Sequence, residues 1–351
     1  MRNPVDRIEP QLAERYRKDP GDEAFLAQLN EILAPHEEAG YRELEERFPT
    51  LVVIGTPRSG TTLLNQLVCS CLDVGYVNNL IAAFWRAPVY GIRLSEKLLM
   101  RRYRSSFQSD FGRTRGIDEP HEFGYFWTSL LDYRQPMQKD RSEEAAIDWK
   151  RARKVLLNMA EAFGRPVACK SFHLGWHIAR LQQELSRTCF VWICRSPIDT
   201  ALSLLRLRRE FVGSVETWAS FRPREYVWLK ERPYWEQVAG QVYYLERSIM
   251  AEVHRAGGRN VLQVAYDDLC ASPSGVLARV VALLRENGRA VDITAKPPTS
   301  FEPQHFDADA DVDARRVRDA VEALYAVPID ASSGARAGTG DGDQRTPPHD
   351  R

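Results

Sequence analysis

Residues 51–67 read LVVIGTPRSGTTLLNQL: an apolar run, then Gly55, four residues, Gly60, and the hydroxyl pair Thr61 and Thr62. An apolar strand, a glycine-bounded turn and a helix start are what seats a phosphate on backbone amides. The version that binds a triphosphate needs a lysine directly after the second glycine. Thr61 stands there, and the cation has moved inside the loop, to Arg58. Amides from Ser59, Gly60, Thr61 and Thr62, charge from Arg58 and a threonine hydroxyl suit a single 5′-phosphate with one further group on it. A triphosphate, which also needs a carboxylate for magnesium, is poorly served.

These residues need elements to hold them. Four runs read as buried strands: LVVIGT from 51, VACKS from 167, CFVWICRS from 189 and NVLQVAY from 260. Each is followed by a polar turn and a helical pattern, at about 60–72, 174–187, 197–211 and 273–287. Apolar runs without alternation, separated by helices, predict a parallel sheet covered on both faces, an α/β domain of phosphate-loop type. Ligands of such sheets sit at the carboxyl ends of the strands. Those ends carry Arg58 and Ser59, Lys170 and Ser171, Arg195 and Ser196, and Tyr266 with Asp267 and Asp268, so these groups are expected to converge.

The sheet domain is expected to span 50–327. Residues 1–49 read as an N-terminal helical extension, from the cap-like aspartate and apolar stripe of DPGDEAFLAQLNEILAP and the repeated pattern HEEAGYRELEERF. Two aromatic and basic segments, 73–148 and 212–235, read as acceptor walls or a lid. The first holds an arginine cluster at Arg101, Arg102, Arg104, Arg113 and Arg115. A Gly- and Pro-rich polar tail, 328–351, is expected to be disordered.

The 351 residues carry a formal net charge of +0, so the chain as a whole is no electrostatic partner for nucleic acid or an acidic membrane. No apolar run is long enough to span a membrane, and the charged N-terminus is not a secretory signal. The six cysteines form no C-x-x-C pair. They read as reduced core thiols of a cytoplasmic protein, with no metal site expected. The excess of arginine over lysine points to a bacterial source.

The loop GTPRSGTTLL (55–64) resembles the 5′-phosphosulfate loop of sulfotransferases that use 3′-phosphoadenosine 5′-phosphosulfate (PAPS). A second match is FVWICRSPIDTALSL (190–204). Family members carry a strand, an arginine and a helix serine eight positions on, here Arg195 and Ser203. The resemblance implies that this pair holds the 3′-phosphate; a guanidinium fork and a hydroxyl two turns away can grip one phosphate. A third match, VLQVAYDDLCASP (261–273), implies adenine contact for Tyr266. Together they imply PAPS as co-substrate and a hydroxyl acceptor, whether small molecule, glycolipid or glycan.

Sulfuryl transfer needs an in-line acceptor, a base for its proton and donors for the charge that develops. Lys170 and Arg58 are the candidates for charge stabilisation. Two candidates for the base remain. His173, in ACKSFHLGW (168–176), follows the Lys170 strand; cytosolic family members carry Lys-x-His there, one residue shorter than in this chain. The rival is the cluster Glu119, His121 and Glu122 in GIDEPHEFGYFW (116–127). Other branches place a glutamate soon after the phosphate loop, but the matching position falls in VNNL, with Asn78 and Asn79. Competing readings are a phosphate-loop kinase or ATPase, which the missing lysine disfavours, and a non-catalytic nucleotide-binding protein on the same fold.

Overall fold

The computed structural model describes residues 12–99 and 103–326. The readings made of residues 1–11, of Arg101 and Arg102, and of the tail 328–351 lie outside the described residues. Five parallel strands form one sheet: β1 (Thr50–Ile54), β2 (Gly75–Tyr76), β3 (Val167–Lys170), β4 (Cys189–Cys194) and β5 (Val261–Ala265), in the order β2-β3-β1-β4-β5. Helices flank it, so the chain is the α/β protein that its sequence pattern predicts. The two-residue edge strand β2 is an addition; it lies where the strand-helix alternation of the sequence breaks.

The register brings the chemistry level. Val53 lies beside Lys170 on one side and Val191 on the other, and Cys194 lies beside Ala265. Four strands therefore end on one edge, and the phosphate loop, Lys170, Arg195 and Tyr266 all emerge there. The strand residues alternate between two cores. Val52, Ile54, Phe190 and Trp192 pack on one face, with the Trp149–Phe163 helix. Leu51, Val53, Val191 and Ile193 pack on the other, with the helices Thr61–Cys71 and Pro273–Glu286. Each such buried side chain contributes about 1.5–3 kcal/mol, which fixes the register and with it the edge.

Several helices differ from the sequence pattern for local reasons. The N-terminal helix runs Pro20–Gly40, capped by Asp19, which accepts from the amides of Gly21 and Asp22 at 2.8 and 3.0 Å. Residues 41–47 form neither helix nor strand. Asn158 ties up the Arg42 backbone, accepting from Arg42 N at 3.1 Å and donating to Arg42 O at 2.9 Å. The helix expected at 174–187 is broken into a 3-10 turn, His173–Trp176, and a helix, Ile178–Glu184. The break is at His177, whose ring is tied to Tyr133 and Glu144 at 2.7 and 2.8 Å. The helix expected at 197–211 is α-helical over Pro197–Leu207 and then widens to a π-turn, Arg208–Val212. The long helices Tyr234–Arg255 and Val312–Tyr325, which follow no strand, build a third core against Pro197–Leu207. No helix among the described residues is long and apolar enough to cross a membrane.

Both loop glycines are dictated by crowding. A Cβ on Gly55 would lie 2.6 Å from Ser59 Oγ and 2.7 Å from Ile193 O. Gly60 has φ +100, and its Cβ would lie 2.6 Å from the Tyr266 ring. Gly60→Ala therefore meets left-handed strain and an aromatic wall together. We expect it to destabilise the fold by about 1–3 kcal/mol, read as a lower urea midpoint at unchanged m-value.

Candidate active site

The phosphate loop turns sharply between β1 and the Thr61–Cys71 helix. Ser59 is fully buried, and its hydroxyl donates to Thr56 O at 2.8 Å. Arg58 sits at φ 74, left-handed for a residue with a side chain. That conformation costs on the order of 1–3 kcal/mol, and such costs gather at functional sites. It sends the guanidinium across the strand edge, where Nε donates to Ser203 Oγ at 3.1 Å. The Arg58 carbonyl accepts from Arg195 Nη1 at 3.0 Å. Arg58 is thus the bridge between the loop and the Arg195–Ser203 pair.

Arg195 leaves β4 over the face of Tyr266, 4.6 Å from the ring centroid, with Phe306 5.8 Å away. It also donates to Gln304 O, and Gln304 N donates to the Tyr266 hydroxyl at 3.1 Å. Arg195 Nε is buried without a hydrogen-bond partner. Among the described residues neither Arg58 nor Arg195 forms a salt bridge. Burial first, then the charges of Arg195 and Arg206, lower the Arg58 pKa to about 10. Positive charge is thus concentrated beside helix-start amides, an environment that favours anionic oxygen.

Lys170, 4% exposed, ends β3 on the other side of the loop. Its Nζ donates to Thr62 Oγ1 at 3.0 Å and pairs with Glu122 Oε2 at 3.0 Å. Both line a cleft of about 270 Å3 with Arg58, Gly60, Thr61, Thr62, Arg195 and Tyr266. Its apolar side is formed by Phe111, Phe172, Leu207 and Phe221. Larger hollows, about 430 Å3 beside the Pro20–Gly40 helix and about 480 Å3 near Trp228, lie away from the strand ends and their cations.

The other base candidates lie elsewhere. His173 is 4% exposed, behind the cleft wall, edge-on to Tyr133, Phe221 and Trp176 at 4.6, 4.8 and 6.4 Å. Burial, and secondarily His177, lowers its pKa to about 3. Glu119 is buried and clamps the 103–106 segment: it accepts from Ser106 N at 2.8 Å, Tyr103 Oη at 2.7 Å and Gln66 Nε2 at 3.0 Å. Burial pushes its pKa up, but those bonds outweigh it and leave the carboxyl below its ordinary value. His121 Nδ1 accepts from Phe123 N at 2.8 Å. Asn78 caps the short helix Asn79–Ala82. No motif beyond nearby prolines marks the strap 301–306, which brings Gln304 and Phe306 to Arg195.

A parallel α/β sheet thus gathers a glycine-bounded loop, an arginine and a lysine at further strand ends and a carboxylate in one cleft. The family model described as the sulfotransferase family matches residues 49–287, and the chain belongs to that family. None of the curated proteins matches the chain. Solved structures similar to it include sulfotransferase STF9 from Mycobacterium avium, 13% identical over 93% of this chain and 81% of that one, with a TM-score of 0.47. Sulfotransferase STF1 from Mycobacterium tuberculosis H37Rv is 14% identical over 74% and 72%, TM-score 0.46. A sulfotransferase from Alicyclobacillus acidocaldarius is 16% identical over 80% and 97%, TM-score 0.39.

The strap is latched by His305, whose Nδ1 lies 2.9 Å from Asp199 Oδ2 and whose Nε2 lies 3.6 Å from Asp267. The Asp199 hydrogen bond, more than the charges of Asp199 and Asp267, raises its pKa above 6.5. The latch is therefore at full strength below the ordinary histidine range and weakens as pH rises through the raised native value. An NMR titration should show the His305 midpoint above 6.5, returning toward it in Asp199→Asn. Phe306 N also donates to Asp199, at 2.8 Å, so that variant should loosen the strap as well.

Proposed function

We propose that this chain transfers a sulfuryl group from PAPS to the hydroxyl of an acceptor with an apolar face, a small molecule, glycolipid or glycan. The observation that carries this reading is the Arg58–Ser203 contact. It joins the loop suited to a 5′-phosphate to the arginine-serine pair suited to a 3′-phosphate. One nucleotide with phosphates at both positions would answer both halves, with Tyr266 supporting the base. Arg58, Lys170 and Arg195 supply enough charge that the reading calls for no metal. A cytoplasmic, bacterial setting belongs to the same reading.

The 50–327 sulfotransferase domain, with segments of 73–148 and 212–235 as acceptor walls, follows from the positions of Phe111, Glu122 and Phe221. In this scheme Glu122 is the base. Its carboxylate takes the acceptor's proton as the acceptor oxygen bonds to sulfur and the bond from sulfur to the 5′-phosphate oxygen breaks. The charge left on that oxygen is met by Arg58, Lys170 and the loop amides. Lys170 touches both ends of the event, the loop through Thr62 and the base directly. The Glu122 side chain is 29% exposed, so its proton can pass to solvent. His173, behind aromatic rings and with a pKa near 3, is too weak and too enclosed a base; its place is to back the Phe221 wall.

Two measurements test the scheme. Adenosine 3′,5′-bisphosphate at 100 times its Kd should add about 2.7 kcal/mol and raise the Tm by several degrees. Arg195→Ala should abolish that shift, and a shift with ATP and magnesium alone would sink the proposal. Glu122→Gln should lower kcat by about 10²–10⁴ for label transfer from radiosulfur PAPS to a panel of aryl and alkyl alcohols. Its bisphosphate affinity should stay within about twofold of the parent.

A further inference from the structure

The turn 110–113 hangs over the reacting end of the cleft. Phe111 and Gly112 both line it. The Phe111 ring lies 5.4 Å from the Arg58 guanidinium. The Gly112 Cα faces Thr62 and Lys170 so closely that a Cβ there would come within 3.5 Å of Thr62 Oγ1 and 3.9 Å of Lys170 Nζ. The turn is closed by Asp110 N to Arg113 O and Arg113 N to Asp110 O, each 2.9 Å. Phe111 has φ 49 and Gly112 φ 87. A phenylalanine in left-handed backbone stays there only if its surroundings hold it.

What holds it comes from the far N-terminus, outside the matched residues 49–287. Tyr16 is 6% exposed. Its hydroxyl donates to Asp110 Oδ2 at 3.0 Å, and its carbonyl accepts from Arg113 Nη1 at 2.8 Å. One residue thus grips both ends of the turn. Its ring packs on Phe111 at 6.1 Å and on Phe211 at 4.5 Å. Ala13 N donates to Phe211 O at 3.0 Å, which anchors the same segment to the π-turn beyond Ser203. We infer that Tyr16 is a positioning residue of the transfer site, holding Phe111 and Gly112 as the roof over the phosphate loop and Lys170. Its place in a transfer reaction rests on the function proposed above.

The test is hydrogen exchange on the full-length protein, comparing amides 109–113 with those of β1 and β4. Tyr16→Phe and Asp110→Leu should each lose about tenfold protection in the turn, with no change in the strands. Asp110→Asn, equally uncharged but still able to accept from Tyr16, should restore it. The double variant Tyr16→Phe with Asp110→Leu should lose no more than either alone. Turn protection unchanged in Tyr16→Phe would overturn the inference. So would equal losses in the turn and in both strands, which would mark Tyr16 as a general stabiliser. Titration of the same proteins with adenosine 3′,5′-bisphosphate separates the two ideas. Failure of the parent to bind it would remove the donor reading while leaving the exchange result standing; binding within about twofold across the variants is expected.

Discussion

Everything at this site depends on crowding positive charge at the carboxyl edge of a parallel sheet. Arg58 and Arg195 sit together, with Lys170 across the loop, and no ion pair among the described residues relieves the two arginines. The fall of Arg58 from 12.5 to about 10 corresponds to on the order of 3 kcal/mol against its charged form. Such a cluster persists only because every neighbour is fixed. Ser203 accepts from Arg58, the Arg58 carbonyl accepts from Arg195, and the Tyr266 ring lies under Arg195. Under the proposed function, an anion would convert this electrostatic cost into binding.

The geometry of the loop follows from that demand. In the proposed function the amides point at the anion, and the chain turns within six residues against β4 and Tyr266. Gly55 and Gly60 are the only residue type that fits, and Arg58 accepts left-handed backbone to aim its side chain. The walls follow the same logic at longer range. Glu119 clamps the segment before the roof, Tyr16 clamps the roof itself, and His305 latches the strap beside Arg195. Glu119 and His305 lie outside helix and strand, and Tyr16 ends a 3-10 turn of only three residues. Backbone there has few internal partners, so side chains must supply them.

Much of the fold was legible because it rests on local pattern. The apolar runs marked four of the five strands, and the glycine spacing marked the turn into the Thr61–Cys71 helix. The misreadings share one cause. Residues 41–47 carry a helical pattern, yet Asn158 ties up the Arg42 backbone and no helix forms. The pattern across 174–187 is continuous, yet Tyr133 and Glu144 seize His177 and break it. In both places a partner over a hundred or several dozen residues away outweighs propensities worth tenths of a kcal/mol per residue.

The sequence by itself determined the sheet, the turn between Gly55 and Gly60, and the family, because strand periodicity and a glycine-arginine-threonine loop are constraints written into adjacent residues. It also placed Arg58, Lys170, Arg195 and Tyr266 at or just beyond strand ends, and the family resemblance added Ser203 on the helix after Arg195. Only the tertiary structure shows where the side chains able to move a proton lie. His173, Glu119 and Glu122 can all carry a proton, and nothing local separates them. Burial behind Phe221, five-way hydrogen bonding, and a 3.0 Å contact with Lys170 in the cleft do. Those are facts about distant chain segments meeting, which residue order constrains but does not display.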